Sequence, residues 1–214
     1  SDGSGSSSRL HLVGRDLDVR LPSVGRQNVL NASAALAAAS LMGVGDDAAL
    51  DAISRFRAPG RRMERVCSAG GVTVIDDYGH HPTEVRTTLE ALRLLNPGRL
   101  VVVFQPHRYT RTAALMDEFA TAFAAASRVY ILDIYAASEQ PLEAVTGEAL
   151  ALRIRQAGHP DVSYAGSLDG APAALVPDLR EGDLVVTLGA GSVTALGPRL
   201  LESIREREAP GGKA

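Results

Sequence analysis

The chain has 214 residues, a formal net charge of −3 and 45% hydrophobic residues. This length can fold as one large or two small domains, and the mixed charge gives no sign of non-specific nucleic-acid binding. We expect no membrane insertion, because we find no apolar run of spanning length and no secretory signal. The single cysteine, Cys67, excludes an internal disulfide and favours a reducing compartment, for which the cytoplasm is the simplest choice.

The first third of the chain has no regular alternation of strands and helices. Residues 1–8 are rich in glycine and serine and are predicted to be flexible. Residues 10–21 are typical of one or two short strands, and helices are predicted over 29–41 and 46–56, the second capped by Asp46 or Asp47. After the break at Ala58-Pro59-Gly60, a charged bridge over 61–65 leads to a domain boundary placed near Cys67 to Gly70.

From residue 71 onwards, short apolar strands alternate with helices. Strands are predicted over 71–75, 100–104, 128–132, 161–165 and 183–188, and helices over 82–95, 112–125, 145–157, 168–175 and 193–207. This pattern predicts an α/β fold with a mostly parallel sheet covered by helices on both faces. We therefore expect domains over 9–68 and 69–208, followed by a flexible tail over 209–214. Ligands of such sheets bind beyond the carboxyl ends of the strands.

Titratable side chains crowd the passage from the first of these strands to its helix, in Asp76-Asp77-Tyr78-Gly79-His80-His81-Pro82-Thr83-Glu84. Pro82 stands where the first turn of a helix favours proline, and the N–H groups that open a helix favour a bound anion. The alternative is that the aspartates cap the helix and the histidines are solvated. No metal ligand is assigned, because adjacent histidines point in different directions and no cysteine or further histidine lies nearby at ligand spacing.

Two further segments follow predicted strands. In Gln105-Pro106-His107-Arg108-Tyr109-Thr110-Arg111, two arginines beside a histidine favour binding of a carboxylate or phosphate, with a solvated basic turn as the alternative. Gly189-Ala190-Gly191-Ser192 is better explained as a tight structural turn. It lacks the third glycine of a dinucleotide loop, which argues against a nicotinamide-dependent dehydrogenase.

Before the boundary, Asn28 and Asn31 are three residues apart and lie on one side of a helical turn. Their amides either read the edge of a base or cap the helix. Arg61 and Arg62 either pair with a ligand or are solvated. The only lysine is Lys213, so this chain cannot form a G-x-x-x-x-G-K-[ST] phosphate loop.

Taken together, these segments resemble the Mur ligase family over about residues 17–206. The resemblance rests on G-R-Q-N-V-L-N-A-S-A-A, R-R-M-E, D-D-Y-G-H-H-P-T-E, F-Q-P-H-R-Y-T-R, D-I-Y-A-A-S-E-Q-P and L-G-A-G-S. Gln27 and Met63 depart from the histidine and the aromatic residue that are usual in that family. The resemblance implies that 9–68 is the end of a P-loop-type central ATP-binding domain and 69–208 a Rossmann-like C-terminal domain. The family's UDP-sugar domain and phosphate loop are missing, so this chain is expected to be inactive alone.

The resemblance also implies a reaction: ATP-dependent ligation of L-alanine to UDP-N-acetylmuramate through an acyl phosphate, with Mg²⁺ ligands mainly outside this chain. The residues implied at the L-alanine and acyl-phosphate site are His80, His107, Arg108, Arg111 and Tyr78. Those implied around ATP are Asn28, Asn31, Arg62 and Asp77. No metal ligand is implied here, and the resemblance indicates no oligomeric state.

Two other functions remain open at this point. A related recycling ligase, which joins a tripeptide to UDP-N-acetylmuramate, shares the D-D-x-A/G-H-H-P stretch but differs from P-H-R-Y-T-R. The arginine-rich version suits the carboxylate of a small amino acid, so we favour alanine. The other alternative is a non-catalytic remnant that binds a nucleotide or a partner. The presence of Asp77, His80, Arg108 and Arg111 argues against such decay.

Overall fold

The computed structural model describes residues 5–12, 14–57 and 59–208. These residues divide into two compact units, one drawn from residues 1–59 and 90–96 and the other from 60–89 and 97–214. Within the described ranges, none of the helices combines the length and the apolar character needed to cross a membrane.

The first unit combines a two-stranded antiparallel sheet with two helices. Its elements are β1 (Ser6–Leu12), β2 (Arg15–Leu21), α1 (Arg26–Leu41) and α2 (Asp46–Ser54). Alternate residues of β2 are buried, and they form a small core with alanines and leucines of the helices: Leu17, Val19, Leu21, Ala32, Leu36 and Ala49. This is the pattern of a strand with one solvated face.

Two predictions for this unit are wrong. Ser6 to Ser8 are not flexible, because they belong to β1 and pair with Leu21, Arg20 and Val19. The first residue of α2 is Asp46 itself, and Gly45 is its N-cap without a side-chain hydrogen bond. The other residues predicted to be flexible, 1–4 and 209–214, lie outside the described part of the chain.

The remaining elements follow in regular order along the chain. They are β3 (Glu64–Ala69), β4 (Val72–Asp77), α3 (Pro82–Arg93), β5 (Arg99–Phe104), α4 (Tyr109–Ala114), α5 (Met116–Ala122), β6 (Arg128–Leu132), α6 (Gly147–Gln156), β7 (Val162–Gly166), α7 (Ala171–Leu175), β8 (Asp183–Leu188) and α8 (Leu196–Glu208). All six strands form one sheet in the order β3-β4-β8-β5-β6-β7. Only the β3–β4 pair is antiparallel, so the predicted mostly parallel α/β sheet is confirmed.

Both faces of the sheet are covered. On one face, Val101 and Val103 of β5 share a buried cluster with Leu200 of α8. On the other face, the ring centroid of Phe104 lies 5.3 Å from the ring centroid of Phe119 and 5.3 Å from that of Phe123. Because water reaches neither face, the central strand β8 is buried at every position, which explains its nearly continuous apolar sequence.

Strand β3 begins before the domain boundary predicted near Cys67 to Gly70. The segment read as a charged bridge contains the start of β3, where Glu64 pairs with Asp76 and Arg65 with Ile75. The second compact unit begins at Gly60, and the domain boundary itself stays a prediction. The predicted helix over 112–125 is also divided, because the backbone leaves helical geometry at Leu115 between α4 and α5 (φ −113°, ψ 16°).

Candidate active site

The three segments that leave β4, β5 and β8 meet at the carboxyl edge of the sheet. The backbone N–H of Gln105 donates to the carbonyl oxygen of Leu188 at 2.9 Å, and that of Gly189 donates to the carbonyl oxygen of Asp77 at 3.2 Å. Hydrogen bonding thus continues past the ends of β4, β5 and β8. The loops that leave these strands are consequently held side by side.

Asp76 anchors this edge from inside the sheet. Its side chain is 4% exposed, and its carboxylate accepts hydrogen bonds from Arg61 Nε at 2.7 Å, Thr187 Oγ1 at 2.6 Å and Thr194 Oγ1 at 3.0 Å. Arg61 also donates through Nη2 to the carbonyl oxygen of Gly189. A buried carboxylate requires such partners, so Asp76 and Arg61 support the site structurally.

Asp77 orders the turn that follows β4. Its carboxylate accepts from the backbone N–H of Met63 at 2.9 Å and of Gly79 at 2.8 Å, and from Thr88 Oγ1 at 3.3 Å. Burial raises the pKa of Asp77, and these hydrogen bonds together with the charge of Arg62 oppose the shift. Since the carboxylate is turned inward, a contact between Asp77 and a ribose would require a different conformation.

The start of α3 is capped by its own acid. Glu84 Oε2 accepts from the backbone N–H groups of His80 at 2.9 Å and His81 at 3.1 Å, while the N–H of Thr83 donates to Nδ1 of His81 at 3.3 Å. Partial burial acts to raise the pKa of Glu84, but the two N–H groups lower it below its usual value. These three amides are therefore occupied, contrary to the expectation that they would face an anion.

Three aromatic rings form a row along the outer rim of the carboxyl edge of the sheet, those of Tyr78, His80 and His107. The ring centroids of Tyr78 and His80 are 5.3 Å apart in a T-shaped arrangement, and those of His80 and His107 are 5.9 Å apart. Tyr78 is exposed, and the guanidinium carbons of Arg61 and Arg62 lie 5.1 Å and 5.8 Å from its ring centroid. Four of the residues that the sequence singled out thus come together: Tyr78, His80, His107 and Arg62.

The segment after β5 adds cationic groups to this row. Arg111 Nη1 donates to Nδ1 of His107 at 3.3 Å and to its carbonyl oxygen at 3.5 Å. Burial lowers the pKa of His107, and the nearby charges of Arg111, His80 and Arg108 lower it further against an opposing effect of Glu139. Two arginines with a histidine of depressed pKa form a site suited to an anionic ligand.

The loop after β6 holds the arginine segment in place, a role that the sequence analysis did not assign to its residues. Tyr135 forms a parallel bridge with His107, its ring stacks on the imidazole at 5.5 Å, and its carbonyl oxygen accepts from the N–H of Arg108 at 2.8 Å. Glu139 accepts from the N–H of Thr110 at 3.0 Å and from its Oγ1 at 2.7 Å. The position of D-I-Y-A-A-S-E directly after a buried strand was the available signal.

The glycine segment after β8 is a tight turn, as predicted. A Cβ on Gly191 would lie 2.5 Å from Cγ of Tyr135 and 2.8 Å from Oε1 of Gln105. The same Oε1 accepts from the N–H of Val193 at 2.9 Å. This turn therefore requires a residue without a side chain, because Tyr135 occupies the space.

Asn28 and Asn31 lie in the first unit, on α1. Nδ2 of Asn28 donates to the carbonyl oxygen of Val24 at 2.8 Å, and Asn31 is exposed. The N-cap of α1 is Gly25, without a side-chain hydrogen bond, so the capping interpretation is wrong. Across residues 5–12, 14–57 and 59–208, no group of three or more His, Cys, Asp or Glu side chains is arranged to hold a metal ion.

Comparison with known proteins identifies the family. The model of the Mur ligase, glutamate ligase domain matches residues 61–191. The UDP-N-acetylmuramate--L-alanine ligase of Solibacter usitatus is 51% identical over 186 residues, which cover 87% of this chain and 39% of that protein. The chain belongs to the Mur ligase family. The matched Mur ligase segment includes the whole row of rings and both arginines of the edge.

Solved structures agree with this assignment. The crystal structure of the UDP-N-acetylmuramate-alanine ligase MurC from Thermotoga maritima superposes with a TM-score of 0.73 at 26% identity, covering 88% of this chain and 40% of that one. A murein peptide ligase from Psychrobacter arcticus superposes with a TM-score of 0.66 at 25% identity, covering 95% and 42%. This Mur ligase chain therefore spans about two fifths of the length of these relatives.

Proposed function

We propose that this chain is the part of a longer Mur ligase that receives the amino acid in the ATP-dependent ligation of L-alanine to UDP-N-acetylmuramate. The observation that carries the proposal is the cluster at the carboxyl edge of the sheet, where His80 and His107 lie 5.9 Å apart and Arg111 is hydrogen-bonded to His107. The name of the Solibacter usitatus relative and its 51% identity support the choice of substrates. Both substrates and ATP are cytoplasmic metabolites, so we place the reaction in the cytoplasm.

The chemistry explains why this edge is cationic. The muramoyl carboxylate takes the terminal phosphoryl group of ATP to give an acyl phosphate. The alanine amine then attacks the carbonyl carbon, and phosphate leaves with the electrons of the broken C–O bond. Negative charge is present at each stage, and preorganised donors stabilise it best where water is excluded.

We assign the cationic groups to the two anions of this step. Arg108 and Arg111 present planar guanidinium groups, which match the alanine carboxylate and the acyl phosphate with paired hydrogen bonds. His107 is hydrogen-bonded to Arg111, its ring lies 5.9 Å from that of His80, and Tyr78 would shape the pocket beside them. The Glu139–Thr110 hydrogen bonds fix the start of α4 and so set the direction of both arginines.

The ATP side of the proposal rests on fewer contacts. Asn28, Asn31 and Arg62 would contact the nucleotide, and Asp77 would do so once its carboxylate gives up one of its present hydrogen bonds. With Lys213 as its only lysine, the chain has no phosphate-gripping lysine in a P-loop, and the described residues offer no metal cluster. The P-loop and the Mg²⁺ ligands are therefore assigned to the other part of the longer protein, and this chain alone should not turn over.

We assign the two units to different domains of that protein. Residues up to Pro59 would be the end of the central ATP-binding domain, and the C-terminal domain would start at Gly60. The start of the family match at residue 61 supports this division.

One structural likeness favours a second candidate function. The murein peptide ligase from Psychrobacter arcticus covers 95% of this chain. A ligase that adds a peptide instead of a free amino acid would use the same acyl-phosphate chemistry. The two candidate functions differ in the size of the substrate that carries the attacking amine, a free amino acid or a peptide.

The test is phosphate release by the full-length protein that contains this chain. UDP-N-acetylmuramate and ATP are supplied with either L-alanine or the tripeptide L-alanyl-γ-D-glutamyl-meso-diaminopimelate. Phosphate release with alanine supports the proposal, and release only with the tripeptide supports the second candidate function. No release with either would leave a binding domain without catalysis and would refute both.

A further inference from the structure

The two imidazoles of the edge have fixed but opposite hydrogen-bond partners. Their ring centroids are 5.9 Å apart, and each Nδ1 faces a group that can play only one role in a hydrogen bond. The partner of His80 can only accept, whereas the partner of His107 can only donate. The proton positions of both rings follow from these partners.

In His80, Nδ1 carries the proton. This nitrogen lies 3.0 Å from the carbonyl oxygen of Tyr78 and 3.6 Å from Oε2 of Glu84. Both oxygens are acceptors, so the ring is in the Nδ1–H form when it is neutral. Its lone pair is then on Nε2, at the opposite end of the ring.

In His107, the arrangement is reversed. Nδ1 lies 3.3 Å from Nη1 of Arg111, and a guanidinium has no acceptor. Nδ1 therefore keeps its lone pair, and the proton of the neutral ring is on Nε2. Burial and the arginine charges lower the pKa of His107, which keeps this ring neutral.

We propose that the two histidines divide the proton work of the ligation: Nε2 of His80 accepts a proton from the attacking amine, and Nε2–H of His107 donates a hydrogen bond to the carbonyl oxygen that becomes negative. The inference rests on the proposed function and deepens it. As the amine lone pair forms the C–N bond, an N–H bond breaks and its proton moves to His80. The product is an imidazolium, and the carbonyl electrons move onto the oxygen that His107 contacts.

The surrounding charges agree with this division. A base becomes positive when it takes the proton, and Glu84 beside His80 stabilises that charge. His107 is surrounded by Arg111 and Arg108, whose positive charges oppose protonation, with Glu139 acting the other way. A neutral donor is therefore favoured at His107, and a base at His80.

The direct test is a long-range ¹H–¹⁵N correlation spectrum of the histidine rings of this chain. It is recorded at about pH 8, above the ordinary histidine pKa of about 6.5. We expect His80 in the Nδ1–H form and His107 in the Nε2–H form. His159, whose Nδ1 accepts from the N–H of Asp161 at 3.2 Å, is an internal reference for the Nε2–H form. Equal or exchanged forms of His80 and His107 would overturn the proposal.

Arg111→Ala sharpens this test. Removing this donor to Nδ1 should leave the His107 ring free to exchange between its two neutral forms, which gives averaged ring signals. It should also raise the pKa of His107, because a nearby positive charge is lost. The signals of His80 should stay as they were. Unchanged His107 signals in this variant would refute the role of Arg111 in fixing the proton. His81→Gln and single variants at the other positions assign the five rings.

The kinetic test uses the full-length protein and the pH dependence of kcat/KM for the amino acid. His80→Gln should lose about a hundredfold or more in kcat/KM and should change its dependence on pH. His107→Gln keeps an N–H near the Nε2 position, so it should retain more activity than His107→Ala, which loses about a hundredfold. His11→Gln, on exposed β1, is the control.

The outcomes separate the two proposals. A wild-type profile in His80→Gln, or equal losses in both His107 variants, would refute the division of proton work even if alanine is the substrate. The expected ring forms in a protein that is inactive with alanine would refute the proposed substrate and leave the proton positions standing.

Discussion

Asp76→Ala should strongly destabilise the unit that carries the site. Removing one partner of a fully buried ion pair costs about 3–5 kcal/mol because the other charge stays buried. The Arg61 side chain is 22% exposed and the Asp76 side chain 4%, so water can partly solvate the guanidinium of Arg61 once the carboxylate is gone and reduce this cost. The hydroxyls of Thr187 and Thr194 also lose their acceptor. We therefore expect the free energy of unfolding to fall by about 2–4 kcal/mol.

The chain offers a selective assay for this loss. It has no tryptophan, and all five tyrosines lie between residues 60 and 208, so tyrosine fluorescence in urea reports on that unit alone. Asp169→Ala is the matched control, because this side chain is 85% exposed and pairs with Arg199 on the surface. Its change should stay below about 1 kcal/mol. Equal changes in Asp76→Ala and Asp169→Ala would refute the anchoring role of Asp76.

Three further predictions concern the same edge of the sheet and its surroundings. In the full-length protein, Arg111→Ala should raise the KM for alanine by about tenfold to a hundredfold, because a hydrogen bond to a charged group contributes about that much to binding. The KM for ATP should rise far less, and equal changes in the two KM values would contradict the carboxylate assignment. Gly191→Ala should lower the free energy of unfolding by about 1–3 kcal/mol, because its Cβ would lie 2.5 Å from a tyrosine ring. Gly170→Ala is the control: its Cβ would lie 3.6 Å from the nearest atom, so the free energy of unfolding in the same fluorescence assay should change less. The hydrogen bond to Asp133 raises the pKa of Tyr164 to about 12. Its stabilisation should be complete below about pH 10 and lost as the pH rises through 12, and absorbance titration of Asp133→Asn should show the pKa falling towards about 10.

The sequence predicted the central strands well and the edge strand poorly, for one physical reason. A strand covered on both faces, such as β8, is apolar throughout and is recognisable alone. The edge strand β3 (E-R-V-C-S-A) mixes charged and apolar residues, because an edge is partly solvated. Its start therefore resembles a polar linker, which explains why it was interpreted as a charged bridge.

The rim of the candidate site was predictable, but its supports were not. His80, His107 and Arg111 follow strand ends, so the rule for parallel sheets places them at one edge. Tyr135 and Glu139 act through contacts with residues about 28 positions away in sequence. Such pairings depend on which strands are neighbours in the sheet, and this order is not contained in any single segment.

The geometry around Arg62 shows what the paired acids of β4 do for the site. Arg61 and Met63, on either side of it, have left-handed backbones with φ of 60° and 48°, at a cost of about 1–3 kcal/mol each. Each is tied to one acid: Arg61 Nε donates to Asp76, and the N–H of Met63 donates to Asp77. Two buried carboxylates thus offset the local strain and leave the exposed Arg62 between them directed towards the tyrosine ring at the rim. The acids that first mark this segment as a site therefore position its cation, and the groups that we propose to contact the substrates are the neighbouring imidazoles and arginines.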